Sequence, residues 1–196
     1  MLELIIVRHG ETDNNKKGTY LGWTDVALNE NGIAQAREAK EKLSGLKIDR
    51  FYSSPLSRAK MTAEIINENF NLDIIFADEL KERNFGVWDD LKYEEIVQGY
   101  PEEHKLWRDD WQNYQIKDGE SAQQSYERIT NFVNGLINKN KEGTYLIVTH
   151  YGCIRKIIAN LLGLGLEGLW HFKIGNCGIS RIEIRDGFPV LTELNG

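Results

Sequence analysis

Two short stretches of the chain are apolar almost without interruption, and both stop abruptly at polar residues. Leu4-Ile5-Ile6-Val7 ends in Arg8, His9 and Gly10, and Tyr145-Leu146-Ile147-Val148-Thr149 ends in His150, Tyr151 and Gly152. Runs of this length and β-branched content predict strands buried on both faces. Longer segments carry a helical period instead. Asn29 and Glu30 open one with Ile33, Ala36, Ala39 and Leu43 on a single face and Gly45 as a stop. Ser54-Pro55 reads as an N-cap followed by a first-turn proline, beginning a helix that runs to about Asn69. Ser121 to Gln124 has the capping-box pattern ahead of Tyr126, Ile129, Phe132, Val133, Leu136 and Ile137, and Ile154 to Leu162 gives a further apolar helix face.

Between these lie shorter elements. Asp49 to Ser53 and Leu72 to Phe76 read as strands, Glu11 to Ala27 and Leu80 to Trp88 as loops. Tyr93 to Gly99 and Pro101 to about Trp111 read as two short helices, a helical insert at about 90–120 placed over the sheet. Ser180 to Arg185 alternates, turns at Asp186-Gly187 and returns through Phe188 to Leu194, an antiparallel hairpin. Strands alternating with helices imply right-handed crossovers and a mostly parallel sheet covered on both faces. The expected fold is an α/β class three-layer α/β/α sandwich with an antiparallel edge, built from residues 1–196 as a single domain.

Composition narrows the function classes. A net charge of −6 over 196 residues argues against a general nucleic-acid or anionic-membrane binder, so an anion site has to be a local pocket. The two cysteines, Cys153 and Cys177, match no metal-ligand spacing and form no disulfide framework. With no signal-peptide pattern and no apolar stretch long enough to span a bilayer, the expectation is a soluble, cytoplasmic protein with no membrane partner.

The candidate chemistry sits at the strand ends, where open α/β sheets bind ligands. Arg8, His9 and His150 occupy two such ends. Arg58 lies in the first turn of the helix after Ser54-Pro55, and helical side chains lean toward the N-terminus, so it points back at the same crevice. Glu82 is available from the loop after the third strand. Two arginines offer forked donors matched to phosphate oxygens. A neutral imidazole in such a cradle can attack phosphorus, with Glu82 protonating the leaving alkoxide and then taking a proton from water. A site of two histidines and one carboxylate for a metal is the competing reading, disfavoured because two arginines would repel a divalent cation. Neither a P-loop lysine nor an aspartate cluster for Mg²⁺ is present, and no metal or cofactor is expected.

These residues carry a resemblance. Arg8-His9-Gly10-Glu11-Thr12 with Asn15, Gly22, Ser53-Ser54-Pro55 with Arg58, Glu82 ahead of Phe85-Gly86, Gly119-Glu120-Ser121, and Val148-Thr149-His150 with Gly152 resemble, in order and over most of the chain, the histidine phosphatase superfamily in its phosphoglycerate mutase-like branch. The resemblance implies His9 as a phosphorylated nucleophile and Arg8, Arg58 and His150 as the phosphate pocket. It further implies Asn15, Gly22 and Gly152 as phosphate or substrate contacts, and Glu82 as acid/base. Relative to the glycolytic mutases the chain is shorter, lacks their basic insert and has Phe85 in place of a tyrosine, which points to hydrolysis. The Trp107 to Gln112 segment leading into Asp118-Gly119-Glu120-Ser121, with Asn29 to Gly32, most resembles the α-ribazole-5′-phosphate phosphatase subfamily of cobalamin biosynthesis.

A broad sugar or small-molecule phosphatase, a mutase, and a catalytically silent phosphate-binding module are the alternatives. Trp107 and Trp111 read first as packing, with substrate contact as a second role. His104 and His171 read as surface or packing residues. The expected partner is a small phosphomonoester, and the edge hairpin offers a surface on which two copies of the chain could pair as a homo-oligomer.

Overall fold

The two apolar runs lie side by side at the centre of one sheet. In the computed structural model, which describes all of residues 1–196, β1 (Leu2–Arg8) and β4 (Gly143–Thr149) pair in parallel with Arg8 opposite Thr149. That register brings the next residues, His9 and His150, together beyond the strand ends. β2 (Arg50–Ser53) and β3 (Ile74–Phe76) continue the parallel half. β5 (Ile179–Arg185) and β6 (Phe188–Leu194) add an antiparallel edge, so the order is β3-β2-β4-β1-β5-β6. The hairpin turns at Asp186 and Gly187, both at positive φ as its right-handed twist requires.

Alternate residues of the central strands feed two cores. Ile5, Val7, Phe51, Leu146 and Val148 pack against α2 (Glu30–Lys42) and α3 (Ser57–Asn67), through Ala36, Ala39, Ala59 and Ala63. Leu4, Ile6 and Ile147 pack on the other face against α6 (Ala122–Lys139) and α7 (Tyr151–Leu161), through Ile129, Val133, Ile154 and Ile157. Each fully buried aliphatic side chain contributes roughly 1.5–3 kcal/mol. The strand ends thus stand on the most rigid part of the molecule. The result is the three-layer sandwich expected.

The capping box of α6 forms as expected, Gln124 N donating to Ser121 Oγ at 3.0 Å and Ser121 N to Gln124 Oε1 at 2.8 Å. Three local expectations differ. The loop from Glu11 contains a one-turn helix, α1 (Asp13–Lys17), capped by Thr12. Pro55 does not open α3, which starts two residues later. Ser54 Oγ is occupied by Leu56 N and His150, while Asp25 caps the helix from a distance, accepting from Ser57 N at 2.7 Å and Ser57 Oγ at 2.8 Å. The insert forms α4 (Tyr93–Gly99) and α5 (Pro101–Asp109), so Trp111 lies beyond the helix on which it was placed. No helix is long and apolar enough to cross a membrane.

Candidate active site

His9 and His150 face each other with ring centroids 5.1 Å apart. His9 Nδ1 donates to the carbonyl of Gly10 at 2.7 Å, which fixes the proton on Nδ1 and leaves the Nε2 lone pair free. Burial, then Arg58 and Arg8, push the His9 imidazole well below its usual range, so it is neutral at pH 7. His150 is neutral for the same reasons, burial first and then Arg58, His9 and Arg8. Its Nε2 lies 2.8 Å from Ser54 Oγ. Leu56 N donates to that hydroxyl, whose own proton is free to go to Nε2. The ring proton of His150 then sits on Nδ1, an atom buried without a protein partner.

Two more donors share that condition. Arg58 is fully buried, donates to the carbonyls of Gly22 at 2.6 Å and Thr24 at 3.0 Å, and keeps a buried Nε without an acceptor. Arg8 donates to Ile174 O at 2.8 Å and likewise has an unpartnered buried Nε. Buried donors are almost always satisfied. Three orphaned N–H groups around one free imidazole lone pair describe a receptor for an anion with several acceptor oxygens.

Glu82 is held by backbone donors: Arg83 N gives to Oε1 at 2.8 Å and Gly152 N to Oε2 at 2.8 Å. Its loop, expected to be irregular from Leu80 to Trp88, runs between two single-turn 3₁₀ helices, Asp78–Leu80 and Gly86–Trp88, and is stapled from α6. Arg128 donates to the carbonyls of Glu79, Lys81 and Glu82 and pairs twofold with Glu120 at 2.8 Å. Burial alone would raise the Glu120 carboxyl, but hydrogen bonds from Arg128 and Asn84 hold it below the usual range.

A cavity of about 400 Å³ opens onto this group, with Arg8, His9, Asn15 and Glu82 on its inner wall, and Arg58 and His150 buried behind it. Asn15 Oδ1 accepts from Thr12 N and Asn176 Nδ2, which turns its Nδ2 to the free side. Two of the expected contacts, Gly22 and Gly152, have polar atoms already engaged within the protein. Both polar atoms of Gly22 are engaged by the protein, its N–H by Asp89 and its carbonyl by Arg58, so it positions Arg58. The Gly152 N–H goes to Glu82, and the missing side chain is what admits that carboxylate, because a Cβ there would stand 2.4 Å from Oε1.

The outer wall is aromatic and cationic. Trp107 packs edge-on against Trp88, as expected, and also lines the cavity, and Trp111, on the same lining, meets Trp170 edge-on. His104 is a packing residue against Tyr93 and Trp107. Arg83, Arg155 and Lys156 add three cations, and burial brings the Lys156 ammonium down to about 8. Sequence reasoning passed over Ser54 as a partner of His150, Arg128 as a staple, and this cationic wall. Arg155 and Lys156 were findable, since each follows Tyr151 or Gly152 by four residues and therefore shares its helix face. No three His, Cys, Asp or Glu side chains converge as a metal site requires.

This constellation is that of a histidine phosphatase, and the family model of the histidine phosphatase superfamily (branch 1) matches residues 4–196. The chain belongs to that superfamily and is a phosphatase, a hydrolase of phosphoric monoesters. It is similar to adenosylcobalamin/alpha-ribazole phosphatase of Salmonella typhimurium, 34% identical over 194 residues, covering 99% of this chain and 96% of that protein. Phosphoserine phosphatase 1 of Hydrogenobacter thermophilus is 33% identical over 195 residues, covering 100% of this chain and 92% of that protein. Among solved structures, the alpha-ribazole phosphatase from Shigella flexneri superposes with a TM-score of 0.93 at 32% identity, over 99% of this chain and 96% of that one.

Proposed function

We propose that the protein hydrolyses phosphomonoesters through a phosphohistidine on His9, and that its substrate is α-ribazole 5′-phosphate. The observation that carries the mechanism is the set of three orphaned donors, Arg8 Nε, Arg58 Nε and His150 Nδ1, around the free Nε2 of His9. Nε2 attacks phosphorus while these groups, with Asn15 Nδ2, hold the non-bridging oxygens, where donors act strongly because water is excluded. The phosphorus–oxygen bond to the alcohol breaks, and Glu82 gives the leaving oxygen its proton. Water then attacks the phosphohistidine, Glu82 takes a proton back, and the nitrogen–phosphorus bond breaks to release phosphate. Gly22 and Gly152 act through Arg58 and Glu82.

The substrate reading is supported by the likeness to alpha-ribazole phosphatases and by the outer wall, where Trp107, Trp111 and Trp170 can take a flat benzimidazole base. A leaving group bearing a carboxylate, as in phosphoserine, is the second reading. The likeness to a phosphoserine phosphatase and the cations of that wall favour it. Acid-quenched incubation with labelled substrate is expected to trap an acid-labile, alkali-stable phosphoprotein absent from His9→Ala. Undiminished turnover in that variant overturns the mechanism. A kcat/KM panel of α-ribazole 5′-phosphate, phosphoserine, 3-phosphoglycerate and sugar phosphates tests the substrate, and equal rates across it overturn the assignment.

A further inference from the structure

The ring of Tyr151 is shared by two guanidinium groups. Arg8 lies 5.0 Å from its centroid and Arg155 4.7 Å, so Arg155 is separated from the phosphate cradle by no more than the ring both touch. One turn of α7 joins Tyr151 to Arg155, so both side chains leave the same face of the helix. A second ring, Trp170, lies 5.0 Å from Arg155. The Arg155 Nε–H donates to Leu169 O at 2.6 Å, which fixes the guanidinium plane.

What remains of Arg155 has no protein partner. No carboxylate pairs with it, and its two terminal amino groups donate to no protein atom, although the residue is buried and lines the cavity. Next to it, Lys156 is buried with only the Ser125 hydroxyl as acceptor. Both amino groups are open to the cavity and not sealed in protein, and their planar fork matches an acceptor lying in its own plane. The flanking rings account for a flat leaving group. They do not account for the unpaired fork beside them.

We propose that Arg155 selects the leaving group, its fork binding a planar acceptor, carboxylate or aromatic ring nitrogen, that the leaving group carries beside the Tyr151 ring shared with Arg8. The inference rests on the phosphomonoesterase reading above but not on which alcohol leaves. The benzimidazole of α-ribazole has one unsubstituted ring nitrogen in the plane of the base, and phosphoserine has a carboxylate. Each has a counterpart without the acceptor: the indole riboside 5′-phosphate, where CH replaces that nitrogen, and phosphoethanolamine.

The test is kcat/KM for both pairs, normalised to phenyl phosphate, in the full-length wild type, Arg155→Met and Arg155→Lys, with thermal melts of each. Wild type is expected to favour the acceptor-bearing member of one pair by about tenfold or more. Arg155→Met brings that ratio within about threefold of unity, and Arg155→Lys, which keeps the charge but not the fork, fails to restore it. Discrimination in the phosphoserine pair alone, lost in Arg155→Met, supports this proposal and overturns the α-ribazole reading. No discrimination in either pair, or discrimination that survives in Arg155→Met, overturns the proposal. Should Arg155→Met not fold, an Arg155→Lys that retains the wild-type ratio overturns it equally.

Discussion

Replacing Gly152 by alanine tests whether Glu82 acts where the structure puts it. The added Cβ would stand 2.4 Å from Glu82 Oε1, 3.1 Å from Cδ and 3.2 Å from Oε2. The closest contact is roughly 1 Å inside ordinary van der Waals distance. The obstacle is the end of a flexible side chain, so the carboxylate moves by about that amount and its 2.8 Å bond from Gly152 N lengthens or breaks. Losing a hydrogen bond to a charged group costs about 1.5–3 kcal/mol, and alanine in place of glycine inside a helix returns up to about 1 kcal/mol. Stability should therefore change by no more than about 3 kcal/mol. A misplacement of about 1 Å can cost on the order of a hundredfold in rate. The loss should depend on the alcohol: an alkyl phosphate needs the proton from Glu82, whereas p-nitrophenolate leaves without one. Steady-state kcat/KM for both ester types, with a denaturation curve, checks this. An equal loss for alkyl and nitrophenyl esters, or no loss, refutes the role given to Glu82.

Arg128→Met removes the staple that ties the Glu82 loop to α6, leaving Glu120 partly buried and unpaired; unfolding should become easier by about 2–4 kcal/mol, and kcat should fall more for alkyl than for nitrophenyl esters. A melting temperature equal to wild type contradicts it. His9 and His150 stay neutral well below their usual range in the folded protein, whereas in the unfolded chain each takes a proton near pH 6.5. The unfolded state therefore binds more protons below that pH, and stability should fall as pH drops from about 6.5 to 5, by up to about 1.4 kcal/mol per pH unit for each histidine. The carboxylates that the fold holds low, Glu11 and Glu120, contribute only in a more acidic window. Chemical denaturation across that range in phosphate-free buffer, with ring-nitrogen NMR of His9, reads both effects. An imidazolium signal from folded His9 at pH 6 contradicts the assignment.

The sequence by itself determined what short-range sterics and periodicity encode. Two unbroken apolar runs could only be central strands, and the polar residues that stop them, Arg8-His9 and His150, had to fall at strand ends. Arg58 followed from the lean of helical side chains, and Glu82 from its Phe-Gly context in a family resemblance. Tertiary structure decided every partner. Gly152 and Glu82 are 70 residues apart, and Arg128 reaches the carbonyls it holds across 46 to 49 positions. Which acceptor a backbone N–H finds depends on the register between distant elements, which local pattern does not specify. The same cause explains Ser54, whose hydroxyl looked like a helix cap and serves His150 across 96 residues while Asp25 takes over the cap. It explains Gly22 and Gly152 as well, whose types marked them for the site but whose N–H groups are committed to Asp89 and Glu82. Arg155 completes the contrast: its position on the Tyr151 face is written in the helical repeat, but its being unpaired is a property only of the assembled cavity.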